Sequence, residues 1–132
     1  MKIQFENSED YNHFKKELKN RLEKWDVRHI DSEGHKIAAV NMIIMDKNNE
    51  THVLLTKRSQ KVATHKGQIS FPGGIRDEED ENIIDTAYRE TFEEVGIPQD
   101  KIEYIGRFDD YVSINGHHVA CFIGSIDYPI EY

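Results

Sequence analysis

Residues 67–97, GQISFPGGIRDEEDENIIDTAYRETFEEVGI, constrain this chain more than any other stretch. A short strand pattern from Gln68 to Phe71 runs into a rigid break at Pro72-Gly73-Gly74. An acidic loop follows, then a helix that stops near Gly96 and Pro98. Ile84, Ala87, Tyr88, Thr91 and Val95 recur at three- and four-residue steps, which predicts one helix face packed on a sheet. Glu90 and Glu94 are four apart and stack beside that face, and Glu93 flanks them. Like charges at this spacing cost a helix about 0.2–0.5 kcal/mol per pair. A cation among the carboxylates would turn that cost into attraction. Hard divalent ions such as Mg²⁺ take oxygen ligands and share them with substrate phosphates. Arg89 stands four from both Asp85 and Glu93, so it can hold carboxylates in place. A lone Glu-Glu pair is ordinarily a solvated helix face; here it comes with Arg-Glu before it, Gly-Gly upstream and a helix-ending Gly after it.

The rest of the chain sets bounds. Its 132 residues suit one domain, 1–132, with one core. No apolar run is long enough to cross a membrane. The start, MKIQFENSED, has neither an apolar leader core nor an Arg-rich amphipathic pattern, and Pro129 to Tyr132 carry no peroxisomal-type address. A single cysteine, Cys121, cannot form an internal disulfide and lies in an apolar run, which predicts a buried inert thiol in a reducing, cytoplasmic setting. The net charge of −8 excludes general nucleic-acid binding, because affinity there comes from neutralising phosphates. It does not exclude a small phosphorylated ligand held through metal.

Along the chain, residues 8–25 read as a helix, with Ser8 as cap and Tyr11, Phe14, Leu18, Leu22 and Trp25 on one stripe. The stripe predicts packing at the edge of the domain; docking of a partner or second subunit, as a homodimer, is the competing reading. Ile37 to Met45 is a strand covered on both faces. Asp46-Lys47-Asn48-Asn49 is turn chemistry, and His52 to Lys57 makes a second strand of the same hairpin. The chain then turns basic, with Lys57, Arg58, Lys61, His65 and Lys66, the natural place for an anionic ligand in an acidic protein. Gly67, Gly73 and Gly74 reach backbone angles closed to other residues and let a ligand approach. Asp77 to Glu81 complement the helix N-terminus, with Asp80 a candidate cap. Beyond Pro98, Ile102 to Ser113 and His117 to Ile126 read as strands joined by a turn at Ile114-Asn115-Gly116. Of His117 and His118 at most one faces the site, since neighbours on a strand point to opposite faces, and both are read as structural.

Arg89-Glu90-Thr91-Phe92-Glu93-Glu94-Val95-Gly96-Ile97 resembles the second half of a Nudix box, G-x₅-E-x₇-R-E-U-x-E-E-x-G-U with U apolar, with Thr91 at the first U. The box spans about residues 74–97. Gly74 to Arg89 is one residue longer than usual, and the early acid is Asp80 or Glu81. That spacing is similar to the coenzyme A pyrophosphatase branch. Leu54-Leu55-Thr56-Lys57-Arg58-Ser59, Gly67 and Phe71-Pro72-Gly73-Gly74 are similar to the signature preceding the box in that branch, with Ala63 where it carries Arg. Gly106-Arg107-Phe108-Asp109 and Gly116 through Gly124 resemble its following segment, where the later strand is central to the sheet.

The resemblance covers residues 37–127 and implies an α/β fold, a Nudix-like α/β/α sandwich on a mixed sheet. Members of the branch continue further, so the usual C-terminal closing elements are expected to be missing after Tyr132. It implies hydrolysis of the pyrophosphate bond of coenzyme A or its thioesters. The metal, Mg²⁺ or Mn²⁺, would be held by Glu90, Glu93 and Glu94, with Glu90 as base and Arg89 orienting it. Arg58, Ser59, Lys57, Lys61, Gly73 and Gly74 would bind substrate. A Nudix hydrolase of another nucleotide, such as ADP-ribose or a nucleoside triphosphate, and a non-catalytic nucleotide-binding domain stand as alternatives. Carboxylates dominate and no Cys/His cluster exists, so zinc is not expected.

Overall fold

The apolar run from Ile37 to Lys47 forms the longest strand, and the sheet assembles on it. The structure is a computed structural model describing residues 3–4, 8–30, 34–57 and 69–127, with backbone only at 3, 4, 8 and 57. The elements are β1 (Ile3–Gln4), α1 (Ser8–Glu23), β2 (Ile37–Lys47), β3 (Glu50–Val53), β4 (Thr56–Lys57), β5 (Ile69–Ser70), β6 (Gly73–Ile75), α2 (Ile83–Val95), β7 (Glu103–Arg107), β8 (Tyr111–Val112) and β9 (His118–Ile126).

Among the described residues the main sheet runs β1-β3-β2-β9-β7, with β6 also on β2 and β8 also on β9. β2 and β9 are parallel from Ile37↔His118 to Met45↔Ile126, and the other pairs are antiparallel, so the sheet is mixed. All nine residues of β9 are buried, as a central strand requires. The β2–β3 turn has Asn48 at φ 54° and Asn49 at φ 62°, the two left-handed residues of a type I′ hairpin. One edge of β2 carries two partners in succession: β3 at Ile44–Lys47 and β6 at Ala38–Val40. The chain leaves this edge at Leu54, whose N–H bonds the Ile43 carbonyl, and returns at Pro72, whose carbonyl accepts from Asn41. The chain thus leaves and re-enters the sheet on the same edge of β2, and β6 leads on toward α2.

Alternation along β2 and β9 splits the core between two faces. Ala39, Ala120 and Phe122 pack with Ala87, Ile83 and Ile84 of α2, and Ile43, Met45 and Ile126 continue that layer with Ile97 and Ile102. Ile123, Ile105 and Met42 face Leu18 and Leu22 of α1. Each fully buried aliphatic side chain here contributes about 1.5–3 kcal/mol. The helices therefore sandwich the sheet. α1 lies over the second face, chiefly above the edge strand β7, with Tyr11 Oη 2.8 Å from Ser125 Oγ of β9.

Several boundaries differ from the sequence reading. α1 ends at Glu23, not at 25. Trp25 leaves the helix to stack on Phe108 at 5.2 Å, and its indole N–H bonds Asp109 Oδ1 at 3.0 Å. The strand expected over His52–Lys57 divides at Leu54, because β4 turns away from β2 to pair with β5. Ile102–Ser113 divides into β7 and β8 with a bulge between Tyr104 and Gly106. Asn115-Gly116 does turn the chain, but as a turn closed by Gly116 N–H on the Ser113 carbonyl with Gly116 at φ 79°. Gly73-Gly74 is no break: it is the start of β6, paired with Ala39 and Val40. Neither glycine has a positive φ, so their role is absence of a side chain.

Candidate active site

Asp80 organises the site. The helix cap is Asn82 rather than Asp80, with the Asp85 carboxylate accepting from the Asn82 N–H at 2.9 Å. Asp80 instead points inward and is 5% exposed. Its Oδ2 accepts from Asp77 N–H at 2.9 Å, the Thr86 hydroxyl at 2.8 Å and Arg89 Nη2 at 3.0 Å, and its Oδ1 from Arg89 Nε at 3.1 Å. Hydrogen bonds from Arg89 hold the carboxyl well below the ordinary range against the cost of burial, so it stays ionised. Arg76 fastens the loop from behind, its guanidinium donating to the Asp80 and Glu81 carbonyls at 2.9 and 3.4 Å.

Arg89 passes this order on. Nη2 also donates to the Ile75 carbonyl of β6 at 3.1 Å, tying helix to sheet. Nη1 donates to Glu90 Oε1 at 3.0 Å and to Glu93 at 3.4 Å. The expected tie from Arg89 to Asp85 is not the one formed; Asp85 serves the cap. Glu90 is half-buried against β6: a Cβ on Gly74 would stand 2.5 Å from its Cδ and 2.7 and 2.8 Å from its oxygens. Burial raises the Glu90 pKa above the usual carboxylate range, opposed by Arg89. Glu93 and Glu94 are exposed on the same helix.

This arrangement sets the Glu90 carboxylate against bare backbone, in the space that a side chain on Gly74 would fill. Among the described residues no three His, Cys, Asp or Glu side chains converge as a ready cage. Mg²⁺ is ordinarily held by only one or two carboxylates, with waters and phosphates completing its shell, so the oxygen donors around Glu90 fit it. Arg58, Ser59 and Lys61, with Ala63, Lys66 and Gly67, lie outside the described residues, and of Lys57 only the backbone in β4 is described.

The NUDIX domain family model matches residues 35–126. The chain belongs to the Nudix family. The "Uncharacterized Nudix hydrolase NudL" of Photorhabdus laumondii is 41% identical over 93 residues, covering 70% of this chain and 49% of that protein. The chain spans about half the length of the curated relatives it matches. Among solved structures, a C. elegans Ap4A hydrolase binary complex aligns with TM-score 0.61 at 19% identity, covering 71% of this chain and 68% of that one. The NUDIX domain of Shewanella oneidensis NrtR complexed with ADP ribose aligns with TM-score 0.55 at 18% identity, covering 77% and 68%. At these identities the structural likeness speaks for the fold alone.

Within the Nudix box the structure decides which acid takes the early position. Asp80 stands six residues after Gly74, where the pattern has Glu, and Arg89 binds it; Glu81 is exposed. The extra residue lies between Asp80 and Arg89. Sequence reasoning missed Thr86, whose hydroxyl completes the Asp80 shell, and a second buried cluster. There Asp110 accepts from His118 Nε2 at 2.7 Å and Arg107 Nη2 at 2.9 Å. His118 is buried in this cluster, away from the hydrogen bonds of Glu90. Cys121 is buried, which raises its thiol pKa.

Proposed function

We propose that the chain is a metal-dependent Nudix pyrophosphatase acting on coenzyme A or acyl-coenzyme A, giving adenosine 3′,5′-bisphosphate and (acyl-)phosphopantetheine. The observation that carries the hydrolase reading is the relay Asp80–Arg89–Glu90, ending in a half-buried carboxylate against Gly74. Glu90, with Glu93 and Glu94, would hold Mg²⁺ or Mn²⁺. When bound, such an ion neutralises pyrophosphate charge and makes water more acidic. Glu90 accepts the proton at its carboxylate, and Arg89 keeps that carboxylate turned toward β6. Gly73 and Gly74 would contribute backbone to the substrate site, with Gly74 making room for the Glu90 carboxylate. Lys57, Arg58, Ser59 and Lys61 neutralise and hold the outer phosphates.

The coenzyme A assignment rests on Leu54 to Ser59, Phe71 to Gly74 and the lengthened box with its early Asp. A second reading, hydrolysis of another nucleoside diphosphate derivative, is favoured by Ala63, which removes an arginine of the coenzyme A signature. Ap4A and ADP-ribose, the substrate and ligand that the two aligned structures name for themselves, belong in the comparison. The test is incubation of purified protein with coenzyme A, acyl-coenzyme A, ADP-ribose, Ap4A and nucleoside triphosphates, with Mg²⁺ or Mn²⁺ and products identified by mass. Coenzyme A cleavage to the bisphosphate supports the first reading, and preference for ADP-ribose or Ap4A replaces it with the second. No cleavage of anything by well-folded protein rejects both.

A further inference from the structure

Two fully buried threonines sit on α2, and they use their hydroxyls differently. Thr91 bonds back to the Ala87 carbonyl at 2.6 Å, the ordinary i−4 habit of a helical threonine. Thr86 donates instead to Asp80 Oδ2 at 2.8 Å, outside its own helix. A β-branched residue is a poor helix former, so nothing local favours threonine at position 86 over alanine.

We propose that Thr86 is a positioning residue for the hydrolytic site, acting on Glu90 through Asp80 and Arg89. This rests on Glu90 being the acting carboxylate. Asp80 Oδ2 takes three donors, from Asp77, Thr86 and Arg89. Asp77 donates from the backbone of the loop that carries Asp80, and the Arg89 guanidinium is shared with Glu90, Glu93 and the Ile75 carbonyl. Thr86 stands on α2 with Arg89 and Glu90, and its short side chain gives its hydroxyl to Asp80 alone. It fixes the rotation of the carboxylate about its Cβ–Cγ bond, so that Oδ1 is presented to Arg89 Nε and the guanidinium is left with Nη1 aimed at Glu90 Oε1. A valine methyl in the same place could not approach Oδ2 to 2.8 Å; carbon–oxygen contacts close only to about 3.3–3.6 Å. Asp80 would be pushed by about half an ångström, and the guanidinium with it. Arg76 works to the same end by gripping the Asp80 and Glu81 carbonyls.

The test compares Thr86→Val, Thr86→Ser and Thr91→Val with the unmodified protein. The readouts are kcat and KM on the preferred substrate, and the ¹⁵N–¹H signal of the Arg89 Nε–H near neutral pH. A geometric fault one pair removed from the chemistry is expected to lower kcat about tenfold in Thr86→Val with KM within about twofold. Thr86→Ser restores most of the loss, and Thr91→Val, which alters only a helix bond, leaves kcat within about twofold. The Arg89 Nε–H signal shifts or exchanges away in Thr86→Val and persists in Thr86→Ser and Thr91→Val. If Thr86→Val does not fold, Thr86→Ala carries the same expectations. An unmoved Arg89 signal with unchanged kcat in the hydroxyl-free variant overturns the proposal. So does Thr86→Ser failing as badly as valine, since packing and not the hydroxyl would then be responsible. Absence of turnover in unmodified protein rejects the hydrolase reading itself, and the Arg89 signal still decides the role of Thr86 in the relay.

Discussion

Replacing Gly74 with alanine should separate the site from the fold. The added Cβ would meet Glu90 Cδ at 2.5 Å and its two oxygens at 2.7 and 2.8 Å. Non-bonded carbons rest at about 3.5–4.0 Å, so the carboxylate must retreat by about 1 Å. Every clashing atom is the far end of a flexible side chain, so the fold itself is little disturbed. Gly74 has no positive φ, and alanine there removes about 0.4–1 kcal/mol of unfolded-chain freedom, offsetting an overpacking cost of about 1 kcal/mol. The melting temperature is expected to move by no more than about 4 °C. Activity is expected to fall about 100-fold, the scale for a reacting group misplaced by 1 Å. Gly73→Ala is the contrast. Its Cβ would stand 2.3 Å from the Ala39 carbonyl oxygen and 2.8 Å from Val40 Cα, which are backbone atoms of the neighbouring strand. That variant should lose about 3 kcal/mol and melt about 10 °C lower. Thermal unfolding and steady-state kinetics on both variants measure the two axes. Full activity in Gly74→Ala would refute the placement of Glu90 against β6 as the working geometry.

Glu90→Gln and Glu94→Gln should each lower kcat by about 10²–10³ in the product assay with the helix content by circular dichroism unchanged; full metal-dependent activity in both would remove them from the site. Arg89→Lys should be nearly as damaging, because an ammonium cannot reach both Asp80 oxygens and Glu90 at once; kinetics at saturating metal read this out. Asp110 is held below the ordinary carboxylate range: burial alone would raise it, but bonds from Arg107 and His118 outweigh that. A depressed folded pKa means its stabilisation is complete above about pH 4, the ordinary Asp value, and fades as pH falls below it. Asp110→Asn should therefore melt roughly 7–14 °C lower at pH 7, for a loss of about 2–4 kcal/mol, with the gap to the unmodified protein narrowing toward pH 3 in matched thermal scans.

Much of the fold was legible because its elements are periodic. β2 and β9 read as continuous apolar runs, and each is covered on both sides by helices whose own stripes were visible. What escaped was decided by partners distant in sequence. Trp25 fits the α1 stripe by spacing, but Asp109, 84 residues away, supplies its indole a hydrogen bond outside the helix. The division of His52–Lys57 depends on Ile69 and Ser70 offering β4 another partner, which no local pattern announces. Pro72-Gly73-Gly74 has the composition of a turn and the structure of a strand start. Its glycines answer to Ala39 and to Glu90, not to local backbone preference.

The same reasoning explains why the acidic helix was legible and its support was not. Glu90, Glu93 and Glu94 announce themselves because like charges on one helix are locally unfavourable and invite an explanation. Asp80 is harder to single out: in a run of five acids, 77 to 81, spacing leaves Asp80 or Glu81 as the early acid. Burial singles it out, and burial follows from Arg89 and Thr86 lying nine and six residues further on. An aspartate is one methylene shorter than the glutamate of the usual box. The loop that carries it is one residue longer on the helix side. The shorter arm and the longer loop fit together, since the added residue gives the backbone reach that the side chain lacks. A glutamate at position 80 with the present loop would consequently overfill the space between Thr86 and Arg89. Asp80→Glu is then not a conservative change: overpacking should cost about 1–3 kcal/mol in thermal unfolding and reduce turnover with it. Deleting one residue between Asp80 and Asn82 in the same variant should recover part of both, and no recovery would separate loop length from acid length.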